Sequence, residues 1–207
     1  SEQPLDVPLF AELYGYGPFQ GRRNLGIHDP LYCRAISFHD SLRRAMIIYT
    51  DTCTTDSLYA REMRARIATK LNLEADGIAF IATHTHSAPK LGSSEAGIAF
   101  GEPHPEFQQT WKRAVMKVAE AALADEEEIT SVESGAAPLS RKLGVNRVEV
   151  EKNVTDPSIR WAKFRRADGS VKLLLHNHGI HGVAMNLPFH KLVSADWMGA
   201  ANRLIKE

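Results

Sequence analysis

The sequence predicts an α/β fold, one layered domain over residues 1–207 in which mixed β-sheets are flanked by helices. Three observations carry this reading. Apolar runs of strand length bracket a helical repeat between residues 44 and 82, a longer helical repeat follows near residue 105, and short β-rich segments fill residues 131–177.

The opening stretch "GYGPFQGRRNLGIHDP" is rich in turn formers and reads as an irregular surface or site-lining segment. "YCRAISFHD" and "RRAMIIYTD" alternate or run apolar with Asp40 and Ser41 between them, which suits an antiparallel hairpin. In "TTDSLYAREMRARIATKLNL", Thr55 or Asp56 offers an N-cap, and Leu58, Met63, Ile67 and Leu71 recur on one helical face. After Gly77, "IAFIAT" is a short apolar run of the kind buried on both faces of a central sheet. Pro105 opens a second helix whose Phe107, Trp111, Val115, Val118 and Ala122 share a face. Strands are expected at "SVESGAA", "GVNRVEV", "SIRWAKFRR" and "VKLLLHN", the last two joined through the hairpin dipeptide Asp168-Gly169. A final helix begins near Ser194 and Asp196 and carries Trp197, Ala201, Leu204 and Ile205 at helical spacing. It reaches Glu207 with no terminating glycine, so the fold is expected to be cut off at its C-terminus.

Composition narrows the partners. The 25 basic and 25 acidic side chains balance, so nothing in the bulk charge points to nucleic acid or an anionic membrane, and a small neutral molecule suits as well as any partner. No apolar run approaches the roughly 20 residues of a spanning helix, so no transmembrane segment is expected, and the first residues do not resemble a signal peptide. Cys33 and Cys53 fit no zinc spacing and read as free buried thiols.

The chemistry concentrates in the histidines. Of nine, His84 and His86 close the run "IAFIATHTHSAPK", while His176, His178 and His181 follow another apolar run. Imidazole is a common metal ligand, and a catalytic zinc takes three or so protein ligands with a position left for water. In an extended segment His84 and His86 point to one side, and Ser87, Ala88 and Pro89 then break the strand. That leaves the pair at the C-terminal rim of a sheet, where open α/β folds bind ligands. For His176 and His178 packing is the better reading. Asp51 reads first as a helix cap, with a metal ligand or an orienting group as the alternative, and Arg147 is a surface arginine or a donor to a carbonyl or oxyanion. Ser87 has no nucleophile elbow around it.

The same residues carry a family resemblance. "THTHSAP" resembles the Thr-His-Thr-His-Ser-Gly-Pro-Gly-Gly signature of the neutral/alkaline non-lysosomal ceramidases. "GYGPFQGRRNLGIHDPLYCRA" is similar to that family's opening, "GVNRVEV" to its Asn-Arg-Ser segment, and "HGVAMNLPFHKLVSAD" to a His-Gly-x-x-Met-Asn stretch followed by Leu-Ile-Ser-x-Asp. The resemblance implies a zinc-dependent amide hydrolase that cleaves N-acyl sphingosine (ceramide) to a fatty acid and a sphingoid base. It implies Zn2+ held by His84 and His181, with His86 and Arg147 meeting the substrate's amide and hydroxyl groups. It also implies a secreted or periplasmic protein that continues past this chain, with a glutamate and a tyrosine completing the zinc ligands. Ala88 and Lys90-Leu91 stand where the family has Gly and Gly-Gly, which keeps open a hydrolase of another amide or ester. A non-catalytic metal-binding fragment is the remaining alternative.

Overall fold

A computed structural model describes residues 1–16, 21–92, 102–185 and 190–207. Residues 17–20 of the opening stretch and residues 186–189 of the stretch after His181 lie outside the described residues. The chain divides into two compact units, the first built of Ser1–Glu126 with Gly182–Glu207, the second of Glu127–His181.

The first unit carries β1 (Glu2–Leu5), β2 (Gly26–Ile27), β3 (Leu31–His39), β4 (Arg44–Thr50), α1 (Ser57–Leu71), β5 (Ile78–Ala82) and α2 (Pro105–Ala124). Its sheet has the order β1-β3-β4-β5, with β4 and β5 parallel and the other neighbours antiparallel. The expected hairpin is β3–β4, turned by Asp40, whose carboxylate accepts from the Leu42 and Arg43 N–H groups. The expected strand–helix–strand unit is β4–α1–β5. Asp56, not Thr55, caps α1, accepting from the N–H groups of Leu58 and Tyr59 at 3.0 and 3.2 Å.

Alternation and helical period meet in one core. Leu31, Cys33 and Ala35 of β3 and Met46 and Ile48 of β4 pack with Met63 and Ile67 of α1 and Phe107, Trp111, Val115, Val118 and Ala119 of α2. Pro105 sits in the first turn of α2, where its missing N–H costs nothing.

Two expectations need correction here. Leu58 is 58% exposed, so the buried face of α1 is Ala60, Met63 and Ile67. The run "IAFIAT" forms an edge strand, not a central one, and Ile81 is 40% exposed. Its apolar character serves one face only, the one that receives Ile78 and Phe80.

Near the C-terminus, β9 (Leu192–Val193) pairs in parallel with β2, and α3 (Asp196–Lys206) follows. The residues of α3 that are buried are Asp196, Met198 and Gly199. Leu204 and Ile205, expected on its apolar face, are 70% and 47% exposed.

The second unit is a three-stranded antiparallel sheet of β6 (Ser131–Pro138), β7 (Ser158–Arg165) and β8 (Val171–Asn177), in that order. The Asp168-Gly169 turn joins β7 and β8 as expected, with Gly169 at φ +82° and the Ser170 N–H donating to Asp168. The strand expected at "GVNRVEV" does not form. Asn146 Oδ1 accepts from the N–H groups of Val148 and Glu149, and Asn153 N–H donates to the Glu149 carbonyl, so local turn bonds replace the ladder. Val148 is left 93% exposed.

Trp111 is wholly buried between α1 and the sheet, against Tyr59 and Phe80. Trp111→Ala should cost about 3–5 kcal/mol in urea unfolding. Leu42→Ala, at a side chain 87% exposed, should stay within about 0.5 kcal/mol.

Candidate metal centre

Two neighbouring parallel strands end side by side, β4 at Thr50 and β5 at Ala82. The turns that follow them are therefore neighbours. Thr83 N–H donates to the Thr50 carbonyl and His84 N–H to the Thr52 carbonyl, both at 3.0 Å. These bonds lay the Thr-His-Thr-His segment against residues 50–53.

Asp51 anchors the arrangement from beneath. Its wholly buried carboxylate accepts from Tyr32 N–H (2.9 Å), Arg34 Nη1 (3.0 Å) and Thr83 Oγ1 (3.1 Å). Burial pushes this carboxyl up, against the pull of Arg34 and the two other donors. The cap reading of Asp51 is overturned, since the cap of α1 is Asp56; its carboxylate instead orients Tyr32, Arg34 and Thr83.

His84 and His86 do converge, by a route the extended-strand argument did not foresee. His84 lies at φ +71°, after the strand has ended, so a left-handed residue rather than strand alternation turns the two rings together. Their ring centroids are 4.9 Å apart and their Nε2 atoms 3.3 Å apart. His84 is exposed and His86 is 7% exposed. The Cys53 carbonyl accepts from His84 Nδ1 at 2.6 Å, which assigns the proton to Nδ1 and leaves Nε2 as the coordinating nitrogen. A backbone carbonyl behind a histidine ring is the usual outer support of a metal ligand. Two nitrogens bound to one tetrahedral zinc at about 2.0–2.1 Å lie about 3.3–3.4 Å apart, so the pair fits a shared ion. It fits equally an ion on His84 with His86 one ligand's width away.

Cys53 joins this pair. Its sulfur and one ring nitrogen from each histidine all lie within 4.8 Å of one another, and Sγ is 3.8 Å from His84 Nδ1. Both cysteines are free, as read from the sequence, and burial pushes the Cys53 thiol up to about 12, with Arg22 drawing it back.

The opening stretch supplies the walls. Gly15, at φ +112°, faces His86 so closely that a Cβ there would meet Nδ1 at 2.5 Å. Tyr16 meets the same ring edge-on at 4.9 Å, and the Arg22 guanidinium lies 4.5 Å over Tyr16. Arg22 is buried, donates to the carbonyls of His86, Tyr14 and His190, and among the described residues has no carboxylate partner. The loop after the histidines is filled: Ala88 is wholly buried and Lys90 is 3% exposed, its ammonium 5.3 Å over the Tyr14 ring.

A second buried carboxylate fixes the other side. Thr85 Oγ1, between the two histidines, donates to the Ser194 carbonyl at 2.7 Å, and Gly182 bridges Thr85. Ser194 Oγ and Ala195 N–H in turn donate to Asp29 at 2.5 and 2.9 Å, with His28 and Arg203 alongside. Burial alone would raise the Asp29 carboxyl, but Ser194, His28, Ala195 and Arg203 outweigh it and hold it below its usual value.

Arg147 and His181, read as site residues, are brought together in the second unit. Arg147 Nη2 donates to His181 Nδ1 at 3.0 Å. His178, read as packing, has Nδ1 3.0 Å from the Ser158 carbonyl. Cys53, Gly15, Tyr16 and Arg22 were not singled out in the sequence. Parallel pairing of β4 with β5 is the signal that would have found Cys53, because it places residue 53 beside residue 84.

Two outcomes test these supports. Gly15→Ala should displace the His86 ring and shift its ring nitrogen resonances. Gly21→Ala, also at positive φ (+73°) but with open space around it, should leave them in place. A depressed carboxyl stabilises the fold fully above its unfolded value of about 3.9, and that stabilisation is lost as pH falls through the lower folded value. Asp29→Asn should therefore be less stable than the parent at pH 7, by about 1–3 kcal/mol. In urea unfolding at decreasing pH the gap should narrow as pH falls below the unfolded value of about 3.9 and through the lower folded one.

No protein-family model matches the chain, and no curated protein is significantly similar to it. Solved structures do match. The neutral ceramidase of Pseudomonas aeruginosa superimposes with a TM-score of 0.83 at 19% identity, covering 97% of this chain and 34% of that one. A structure described as a ceramidase complexed with C2 gives 0.82 at 20%, covering 97% and 33%. The chain thus spans about a third of the length of the proteins it matches, and over that length it has the α/β fold of part of a neutral ceramidase.

Proposed function

We propose that this chain forms part of a zinc-dependent amide hydrolase that cleaves ceramide to a fatty acid and a sphingoid base. The observation that carries the reading is the His84–His86 pair, with Nε2 atoms 3.3 Å apart at the end of a parallel strand pair on a neutral-ceramidase fold. In this reading His84 and His181 hold the metal. His84 presents Nε2 because its Nδ1–H is committed to the Cys53 carbonyl.

Zinc held there would polarise an amide carbonyl and lower the pKa of a water. The remaining work belongs to side chains of this chain. His86, buried and fixed by Gly15 and Tyr16, directs Nε2 to whatever lies beside His84 and donates a hydrogen bond to the oxygen on which charge develops. Arg147 offers a fork of donors to the substrate's oxygen atoms. Arg147 also donates to His181 Nδ1, which in the neutral ring leaves the proton on Nε2, so His181 would take a metal only with this bond opened.

A second reading, a hydrolase of another amide or ester, is favoured by the loop that Ala88 and Lys90 fill beside the histidines. A substrate panel separates the two. Cleavage of N-acyl sphingosines supports the first reading, whereas cleavage of short soluble amides or esters with ceramides untouched supports the second.

The ligand roles predict distinct losses. His84→Ala and His181→Ala should each lose bound zinc and turnover together. His86→Ala should keep zinc and lose about 10²-fold or more in kcat. Zinc content by elemental analysis decides: loss in His86→Ala as complete as in His84→Ala makes His86 a ligand, and equal retention in all three overturns the assignment.

A further inference from the structure

We infer that Cys53 is a sulfur ligand to the metal at His84, so that this chain binds a thiophilic divalent ion through its own sulfur and imidazole donors. The inference rests on the reading that His84 holds a metal.

Two features of the first unit carry it. The Cys53 sulfur and one ring nitrogen from each of His84 and His86 lie within 4.8 Å of one another, and an ion with bonds of about 2.3 Å to sulfur and 2.0–2.1 Å to nitrogen would draw them onto one point. The thiol is also not free to wander. Residues 50–53 are bonded to the histidine turn through Thr83 N–H to Thr50 and His84 N–H to Thr52, and the Cys53 carbonyl accepts from His84 Nδ1. One residue thus orients the imidazole with its carbonyl and stands beside it with its side chain.

The donor types choose the metal. Sulfur with imidazole nitrogen selects zinc or cobalt over magnesium and calcium, which seek oxygen.

The test is titration of the metal-free 207-residue chain with cobalt(II) chloride, followed by absorption. The expected result is a near-ultraviolet sulfur-to-cobalt charge-transfer band that saturates at about one cobalt per chain. Cys53→Ser should abolish that band while visible cobalt absorption persists, with affinity reduced about 10- to 100-fold. Cys33→Ala, which removes the other thiol, should keep the band. Visible absorption without the near-ultraviolet band in the parent chain would overturn the inference and leave the metal-hydrolase reading standing. A folded parent chain that binds no cobalt would overturn the inference that this chain holds the metal through its own donors, and would leave the hydrolase reading to the longer protein. Should Cys53→Ser fail to fold, X-ray absorption at the zinc edge of the parent decides, with one sulfur at about 2.3 Å expected and a shell of only nitrogen and oxygen contradicting it.

Discussion

The candidate centre depends on one buried carboxylate. Asp51 follows the last residue of β4 and binds backward to β3 through Tyr32 and Arg34, and forward to the turn after β5 through Thr83. A carboxylate in such a place is costly unless its oxygens are used, and here three donors use them. The consequence is geometric. The ends of three strands are held at one point, and the turn carrying His84 is laid against the turn carrying Cys53. Asp29 does the same from the other side, through Ser194 to the Thr85 that separates the histidines. Two acids that touch no histidine of the pair set where the pair stands.

Around this frame the residues nearest the rings are chosen for space and for direction. Gly15 is the one residue that both tolerates φ +112° and leaves room for the His86 ring. The Cys53 carbonyl sets which nitrogen of His84 faces outward. Arg22 ties the backbone of His86 to that of Tyr14 and His190. The Arg147–His181 bond is different in kind. It joins two of the proposed site residues directly within the second unit.

Much of this could be read from the residues. Periodicity located α1 and α2 because their core faces are long and regular, and Asp168-Gly169 placed the β7–β8 turn because its backbone demands are local. The histidine pair was found from its position after an apolar run. What could not be read depended on partners far along the chain. "IAFIAT" looks central because a short apolar run does not say how many neighbours it has, and it proved to be an edge. "GVNRVEV" has strand composition, but Asn146 offers nearby N–H groups a closer acceptor than any ladder. Cys53 gave no signal of its own, since its nearness to His84 follows from the pairing of β4 with β5. The convergence of the two rings was expected for the wrong reason, as a single left-handed residue at His84 produces it.

The most direct test of the centre is a crystal structure of the chain grown with zinc, with anomalous data collected on both sides of the zinc absorption edge. The account predicts one strong peak about 2.0–2.1 Å from His84 Nε2, with Nδ1 still donating to the Cys53 carbonyl. A zinc bound elsewhere, or a His84 whose Nε2 faces only water and His86 at saturating zinc, would contradict it.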